Sequence, residues 1–94
     1  MNSVYVKSEH VKFKKIENEL IIIPMDDKVK TKKSELFHLE DPTSIKIWEL
    51  INGKNTLSQI IEEIYKLHNA DKNKIKKDVV HFISELEKNS LVTK

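Results

Sequence analysis

Hydrophobic and polar residues alternate in the N-terminal part of the chain in the manner of β-strands. Val11 and Phe13 are separated by a lysine, which gives the period of a strand with one buried face. Residues 20–23, LIII, form a continuous apolar run that ends at Pro24 and predicts a well-buried strand. Because residues 17–19 between these runs are typical of a turn, the sequence predicts a β-hairpin.

A third strand is predicted at residues 34–39, SELFHL, directly before a strong helix start. Phe37 and Leu39 would share one face of this strand, and Leu36 and His38 would share the other. A sheet of three strands leaves two edges, and an unprotected edge can pair with an extended peptide.

Two segments are less regular. Val4 and Val6 alternate only weakly, so we expect residues 1–10 to form either a loose arm or a short strand. Residues 25–33 are rich in charge and predict a connection between the second and third strands.

The first helix has a defined start and stop. Asp41 is a good N-cap because its carboxylate can accept from free backbone N–H groups, and Pro42 suits the first helical position. Gly53 supplies a left-handed residue at the helix end without steric cost. The apolar stripe between them consists of Ser44, Ile47, Trp48 and Ile51.

Two more helices follow. Thr56 and Gln59 form a capping box for the second helix. Its inner stripe is predicted to contain Leu57, Ile60, Ile61, Ile64 and His68, with Leu67 beside them. The third helix is predicted at residues 72–89, and Leu91 and Val92 would pack back on the helices. Its core stripe is predicted to contain Ile75, Val79, Phe82, Ile83 and Leu86.

Three strands followed by three helices predict an α+β domain, with the sheet on one side of a small helical bundle. A chain of 94 residues allows one domain, which we expect to span residues 1–94. A domain of this size buries only about 60–65% of its unfolded surface, which leaves little room for a deep catalytic pocket beside a core.

Composition excludes several kinds of chemistry. The chain has no cysteine, so it has no disulfide, no thiolate metal site and no cysteine nucleophile. Its one glycine excludes a glycine-rich phosphate-binding loop. The N-terminus lacks the apolar run of a signal peptide, and no apolar segment approaches the ~20 residues that span a bilayer. We therefore expect a soluble, cytoplasmic protein.

The titratable side chains do not form a recognisable catalytic or metal site. The four histidines show no metal-binding spacing, and His68 is better interpreted as a packed or partly buried residue on a helix. Asp78 and His81 are one helical turn apart and are best interpreted as a surface pair. Glu62 and Glu63 lie on a solvated face, so general acid–base catalysis has no support. We expect no enzyme activity, no metal and no cofactor.

One residue of the third helix departs from its core stripe. With Ile75 at 0°, the core stripe centres near 20° and Val80 falls at about 140°. Lys76, Ser84 and Glu87 flank it. Val80 is either a scattered exposed residue, which is ordinary, or the apolar floor of a groove beside the core. In the second case the third strand and third helix would be the two walls of a cleft.

The segment LEDPTSIKIWELINGKNTLSQIIEEI, followed by DVVHFISELEKNSLV, resembles the PqqD-like family, the recognition elements for ribosomally made, post-translationally modified peptides. The resemblance covers more than half of the chain and includes Trp48, Gly53 and the capping Thr56. Asp41 stands where the family usually has Asn, which is a conservative change for an N-cap. The N-terminal strands match in arrangement only.

The resemblance implies a winged-helix-like domain of three antiparallel strands followed by three helices. It also implies a non-catalytic module that binds the leader of a precursor peptide as an added strand and presents it to a modifying enzyme, often a radical-SAM enzyme. Carried onto this chain, the pairing edge would consist of Ser34, Glu35, Leu36, Phe37, His38 and Leu39. The helical wall of the cleft would consist of Lys76, Lys77, Val80, Ile83 and Ser84. Lysines around this cleft would suit an acidic leader.

Two other functions remain open from the sequence. The lysines between residues 72 and 77 motivate nucleic-acid binding by a winged helix. Against it stand the net charge of only +2, the absence of Arg, and the acidic residues Asp71 and Asp78. The second alternative is a structural subunit that docks on an enzyme through an exposed helix face. Nothing indicates a membrane partner.

Overall fold

A computed structural model describes residues 2–25 and 37–94 of the chain. Its elements, in chain order, are β1 (Val6–Lys7), β2 (Val11–Ile16), β3 (Glu19–Pro24), β4 (Phe37–Leu39), α1 (Pro42–Leu50), α2 (Leu57–Leu67), α3 (Lys72–Lys88) and β5 (Val92–Thr93). The predicted order of strands and helices is confirmed, and the fold is α+β and winged-helix-like. Ser34, Glu35 and Leu36 of the predicted third strand, and the lysines between residues 28 and 33, lie outside the described residues.

The main sheet has the order β2-β3-β4, and both pairings are antiparallel. Leu20 and Ile22 of β3 point to the inner face and are buried, whereas Ile21 and Ile23 point to the outer face and are half-buried. The prediction of a well-buried β3 is therefore correct for alternate residues only. The predicted turn is confirmed, with Glu17 in the left-handed region at a φ of 53°.

β2 differs more from its prediction, because none of its residues is buried. Phe13 lies opposite the buried Ile22 on the inner face, yet its side chain is 49% exposed. The ring contacts Trp48 edge-on, with 5.5 Å between the ring centroids. β2 is an edge strand of this sheet, so the core covers one side of Phe13 and leaves the other open.

The N-terminal arm forms a short strand rather than a loose arm. β1 pairs antiparallel with β5, and Val4 forms a bridge with Thr56. The Gly53 N–H donates to the Tyr5 carbonyl at 3.1 Å, and the Leu57 N–H donates to the Ser3 carbonyl at 2.8 Å. The arm is thus hydrogen-bonded to both the C-terminal tail and the loop between α1 and α2.

The predicted starts of α1 and α2 are confirmed by their N-caps. Asp41 Oδ2 accepts from the Ser44 N–H at 3.3 Å. In the capping box of α2, Thr56 Oγ1 accepts from the Gln59 N–H at 3.2 Å, and Gln59 Oε1 accepts from the Thr56 N–H at 2.7 Å. Gly53 has a φ of +78°, so its predicted left-handed conformation is confirmed. α1 ends earlier than predicted, at Leu50 with Ile51 as its C-cap, and Gly53 lies in the loop after the helix.

The core lies between the inner face of the sheet and the three helices. Trp48 is fully buried, and its indole N–H has no hydrogen-bond partner among the described residues. The other buried side chains are Tyr5, Leu20, Ile22, Ile45, Ile47, Ile51, Leu57, Ile60, Ile61, Ile64, Ile75, Val79, Ile83, Leu86, Leu91 and Val92. Ile45 lies off the predicted stripe of α1 but is buried. The prediction that Leu91 and Val92 pack back on the helices is confirmed.

The expected burial of His68, with Leu67 beside it, was wrong. Both side chains are exposed. α2 ends at Leu67, and His68 has extended backbone angles of φ −128° and ψ 142°. Because the helical period of 100° per residue stops at that point, the stripe of α2 does not extend to His68.

α3 has one face in the core and one exposed face that carries Val80. Ile75, Val79 and Leu86 are buried in the core, and Phe82 is half-buried beside them. Val80 lies away from this stripe, and its side chain is 38% exposed. The predicted wheel of α3 is therefore confirmed, with Val80 as the one large exposed aliphatic side chain among the residues of this helix.

We expect Gly53→Ala to lower the free energy of unfolding by about 1–2 kcal/mol, because a φ of +78° disfavours a side chain. A Cβ at this position would also lie 3.1 Å from Val6 Cγ1. Urea denaturation of Gly53→Ala, Val6→Ala and the double variant separates the two causes. The double variant should recover the part due to contact with Val6. A Gly53→Ala protein as stable as the parent would contradict this account.

We expect Phe82→Ala to lower the free energy of unfolding by about 2 kcal/mol, less than the 3–5 kcal/mol of a fully buried aromatic. Val80→Ala on the same helix should change it by less than about 0.5 kcal/mol, because much of the Val80 side chain is in water. The midpoints of urea unfolding measure both values. Equal losses for the two variants would mean that Val80 packs in the core.

Candidate functional site

A groove with a volume of about 340 Å³ opens between the start of α1, the end of α2 and the first half of α3. It is lined by Asp41, Thr43, Ser44, Ile47, Ile64, His68, Ala70, Lys74, Ile75, Asp78, Val79 and Phe82. Since Glu40 alone separates β4 from Asp41, the groove begins close to the point where β4 ends.

The floor of the groove is apolar. Ile47, Ile64 and Val79 are buried core residues that reach its surface, and Phe82 is half-buried beside them. A groove of this kind takes an apolar side chain of a ligand, because such a side chain leaves water on entering it.

The rim of the groove is polar. Thr43 Oγ1 and His68 Nε2 are 3.0 Å apart, so they link α1 to the end of α2. The Asp41 carboxylate accepts from both the backbone N–H and the hydroxyl of Ser44 and is occupied in capping α1. The Asp78 side chain is exposed and has no hydrogen bond or ion pair with any described residue.

β4 provides a sheet edge beside this groove. Within the described residues it pairs with β3 on one side only. Phe37 and Leu39 face inward and pack against the core, whereas His38 faces outward and contacts the Glu19 carboxylate through Nδ1. The backbone groups on the free side of β4 suit an extended peptide, which can add to the sheet as a further strand.

The opposite edge of the sheet is of a different kind. β2 carries three lysines, Lys12, Lys14 and Lys15, all exposed. Lysines on an edge strand oppose its pairing with another strand, because their charges and long side chains would have to be accommodated at the new contact. The described part of β4 carries no lysine. The asymmetry favours β4 as the pairing edge.

The predicted site residues fall in three places. Phe37, His38 and Leu39 form β4, and Ser34, Glu35 and Leu36 lie outside the described residues. On α3, Lys76, Lys77 and Val80 are exposed and Ser84 is half-buried. Ile83 is only 2% exposed and belongs to the core, which leaves little of its side chain for a ligand to contact. The remaining assignments stay predictions.

The groove uses another side of α3 from the one chosen on the sequence. On α3 its lining includes Lys74, Asp78 and Phe82, which are spaced by one helical turn. Val80 and the predicted wall residues Lys76, Lys77 and Ser84 do not line it. Glu87, about 20° from Val80 on the helical wheel, instead lines a cavity beside β1 and β5. The turn-by-turn spacing of Lys74, Asp78 and Phe82 was visible in the sequence. The sequence does not indicate which side of α3 faces α1.

Lys7 places a charged amine in contact with the C-terminal end of α1. Its amine donates to the Ile51 carbonyl at 2.6 Å and lies 5.3 Å from the ring centroids of both Phe13 and Trp48. Burial lowers the pKa of the Lys7 amine, while the charge of Glu49 acts in the opposite direction. The Lys7 amine thus bonds the C-cap residue of α1, and Lys7 is not among the residues that line the groove.

Metal binding and membrane insertion find no support in the described ranges. Residues 2–25 and 37–94 contain no group of three His, Asp or Glu side chains placed to hold a metal ion. Within the same ranges no helix combines the length and hydrophobicity needed to cross a bilayer.

Comparison with solved structures shows where this fold has been seen. The structure of TbiB1 in complex with the TbiA(beta) leader peptide aligns with a TM-score of 0.77 and 20% identity, over 93% of each chain. The lasso peptide synthetase B1 complexed with its leader peptide aligns with a TM-score of 0.79 and 9% identity, over 98% of this chain and 100% of that one. At these identities the likeness establishes the fold.

Comparison by sequence establishes the family. No curated protein sequence matches the chain. The family described as Coenzyme PQQ synthesis protein D (PqqD) matches residues 29–92, which is more than half of the chain and includes β4 and all three helices. The protein therefore belongs to the PqqD family.

Proposed function

We propose that this protein is a non-catalytic module that captures the leader of a ribosomally made precursor peptide and presents it to a modifying enzyme. The leader adds to the sheet as a strand on the free edge of β4, and one of its apolar side chains enters the groove between α1 and α3. The observation that carries the proposal is the position of this apolar groove at the end of β4, which within the described residues pairs on one side only and contains no lysine.

The comparisons support this proposal. The family match covers β4 and the groove residues. Both similar structures contain a leader peptide bound to a protein of the same fold. The floor of the groove is made of buried apolar side chains, which suits it to hold an apolar side chain of a bound peptide.

Affinity and selectivity have different sources in this arrangement. Backbone hydrogen bonds to β4 do not depend on the peptide sequence, whereas the apolar groove selects the side chain placed beside the strand. Lys76 and Lys77 are exposed and form no ion pair with any described residue. Their charge would attract an acidic leader and raise the rate of association more than the affinity.

Leader binding should slow hydrogen exchange at β4 and leave β2 unchanged. Added strand hydrogen bonds protect the outward amides of β4, and β2, the other described edge, serves as an internal control. NMR exchange rates are measured with and without a synthetic peptide that covers the leader encoded beside this gene. Chemical shifts of α3 should change in the same titration. Unchanged shifts and exchange in both β4 and α3 would refute the proposal.

We propose that the leader also contacts Val80, on the exposed side of α3 outside the groove lining. Val80→Asp should then weaken leader binding by about tenfold while the domain stays folded, because Val80 is exposed and its loss leaves the core intact. Tyr65→Asp is the matched control, since Tyr65 has the same 38% exposure and lies on α2 away from the groove lining. Isothermal titration with the same peptide measures the dissociation constant of each variant. Full affinity in Val80→Asp, with reduced affinity in Asp78→Lys, would place the contact on the groove side of α3.

A further inference from the structure

The outer face of the main sheet carries an apolar strip. In the antiparallel register Ile16 lies opposite Glu19, and Lys14 lies opposite Ile21. Since opposed residues share a face and alternate residues along a strand share a face, the outer face is defined by these pairs. Its apolar members are Ile16, Ile21, Ile23 and Met25, which follows β3 in the same alternation.

The apolar residues of the outer face are not part of the hydrophobic core. Leu20 and Ile22 belong to the core cluster, whereas Ile21 and Ile23 do not. Ile16 is 45% exposed and Met25 is 50% exposed. An antiparallel sheet with one face on its core usually shows polar residues on the other face, so the run LIII is more apolar than this fold requires.

Within the described residues, the lysine charges on this face are not paired with carboxylates. Lys12 and Lys14 lie among the apolar residues, and neither has an ion pair within the described residues. The Glu19 carboxylate on the same face is engaged by His38. A partner that fits this surface has apolar side chains with carboxylates beside them. A second copy of this chain would bring lysines against lysines and is disfavoured.

The outer face is continuous with the edge that receives the leader. His38 of β4 lies opposite Ile21, so the face extends across β2, β3 and β4 without interruption. A strand added to β4 would place every second side chain on the same face. A partner docked there would contact the described sheet and the bound leader together.

We infer that the outer face of the sheet, the surface of Lys12, Lys14, Ile16, Ile21, Ile23 and Met25, is the docking surface for the modifying enzyme. The enzyme contributes an apolar patch edged by carboxylates, and the bound leader completes the surface that it recognises. This inference rests on the proposed leader-binding function, and it adds a second binding surface on the same sheet.

The test uses the full chain, a precursor leader peptide that the chain binds in isothermal titration, and the enzyme that modifies that precursor. Lys12→Glu/Lys14→Glu is compared with Lys54→Glu/Lys94→Glu, which changes the net charge equally at exposed positions elsewhere. Ile16→Gln is compared with Leu67→Gln, which alters another exposed aliphatic side chain. Surface plasmon resonance measures enzyme binding with and without leader, and isothermal titration measures leader binding.

The outer-face variants should bind the enzyme about tenfold more weakly and bind the leader as the parent does. The two control variants should match the parent in both measurements. The parent should also bind the enzyme more tightly with leader present. Outer-face variants that bind the enzyme like the parent would overturn this inference while leaving leader binding intact. A parent that binds no leader would refute the proposed function instead.

Discussion

The burial of Trp48 is the interaction on which the rest of the structure depends. This side chain is fully enclosed, and it contacts β2 through Phe13 and the N-terminal arm through Lys7. Removing a fully buried aromatic of this size costs about 3–5 kcal/mol, a large fraction of the stability of a small domain. Trp48 therefore fixes where α1 lies against the sheet.

The position of α1 in turn sets the geometry of the groove. Glu40 alone connects β4 to the cap of α1, so fixing the helix also fixes the end of the edge strand. Thr43 and His68 then link α1 to the end of α2, next to the first half of α3. The apolar floor of the groove is thus an outward extension of the same core that holds Trp48.

The two edges of the main sheet carry different side chains, and so do its two faces. The edge strand β2 carries exposed lysines, whereas the described part of β4 carries none. The inner face is closed by the helices, while the outer face has exposed apolar side chains beside Lys12 and Lys14, which form no ion pair with any described residue. A small domain can in this way offer one edge to a peptide and one face to a protein, since the two surfaces adjoin but do not coincide.

Several features could be predicted from the sequence because they depend on residues close together in the chain. The cap of Asp41, the reciprocal capping box of Thr56 and Gln59, and the left-handed Gly53 are examples. Helical periodicity likewise separated the buried stripe of α3 from Val80. Periodicity failed at His68, because it assumes that the helix continues, and α2 ends one residue earlier.

The candidate site was only partly predictable. β4 was found from its alternation and its place before the helix start, and α3 was found from its amphipathic pattern. The groove side of α3, with Lys74, Asp78 and Phe82, was not found. A helical wheel gives the angle between residues on one helix, but it does not give the direction of a neighbouring helix.

The sequence by itself determined the elements, their caps and the residues able to enter the core, since these follow from local propensity and spacing. Only the tertiary structure decided that β2 is an open edge with Phe13 half in water, and that the groove lies between α1 and α3. Both outcomes depend on how separate elements are placed against one another. That placement is set by the packing around Trp48, which no local pattern encodes.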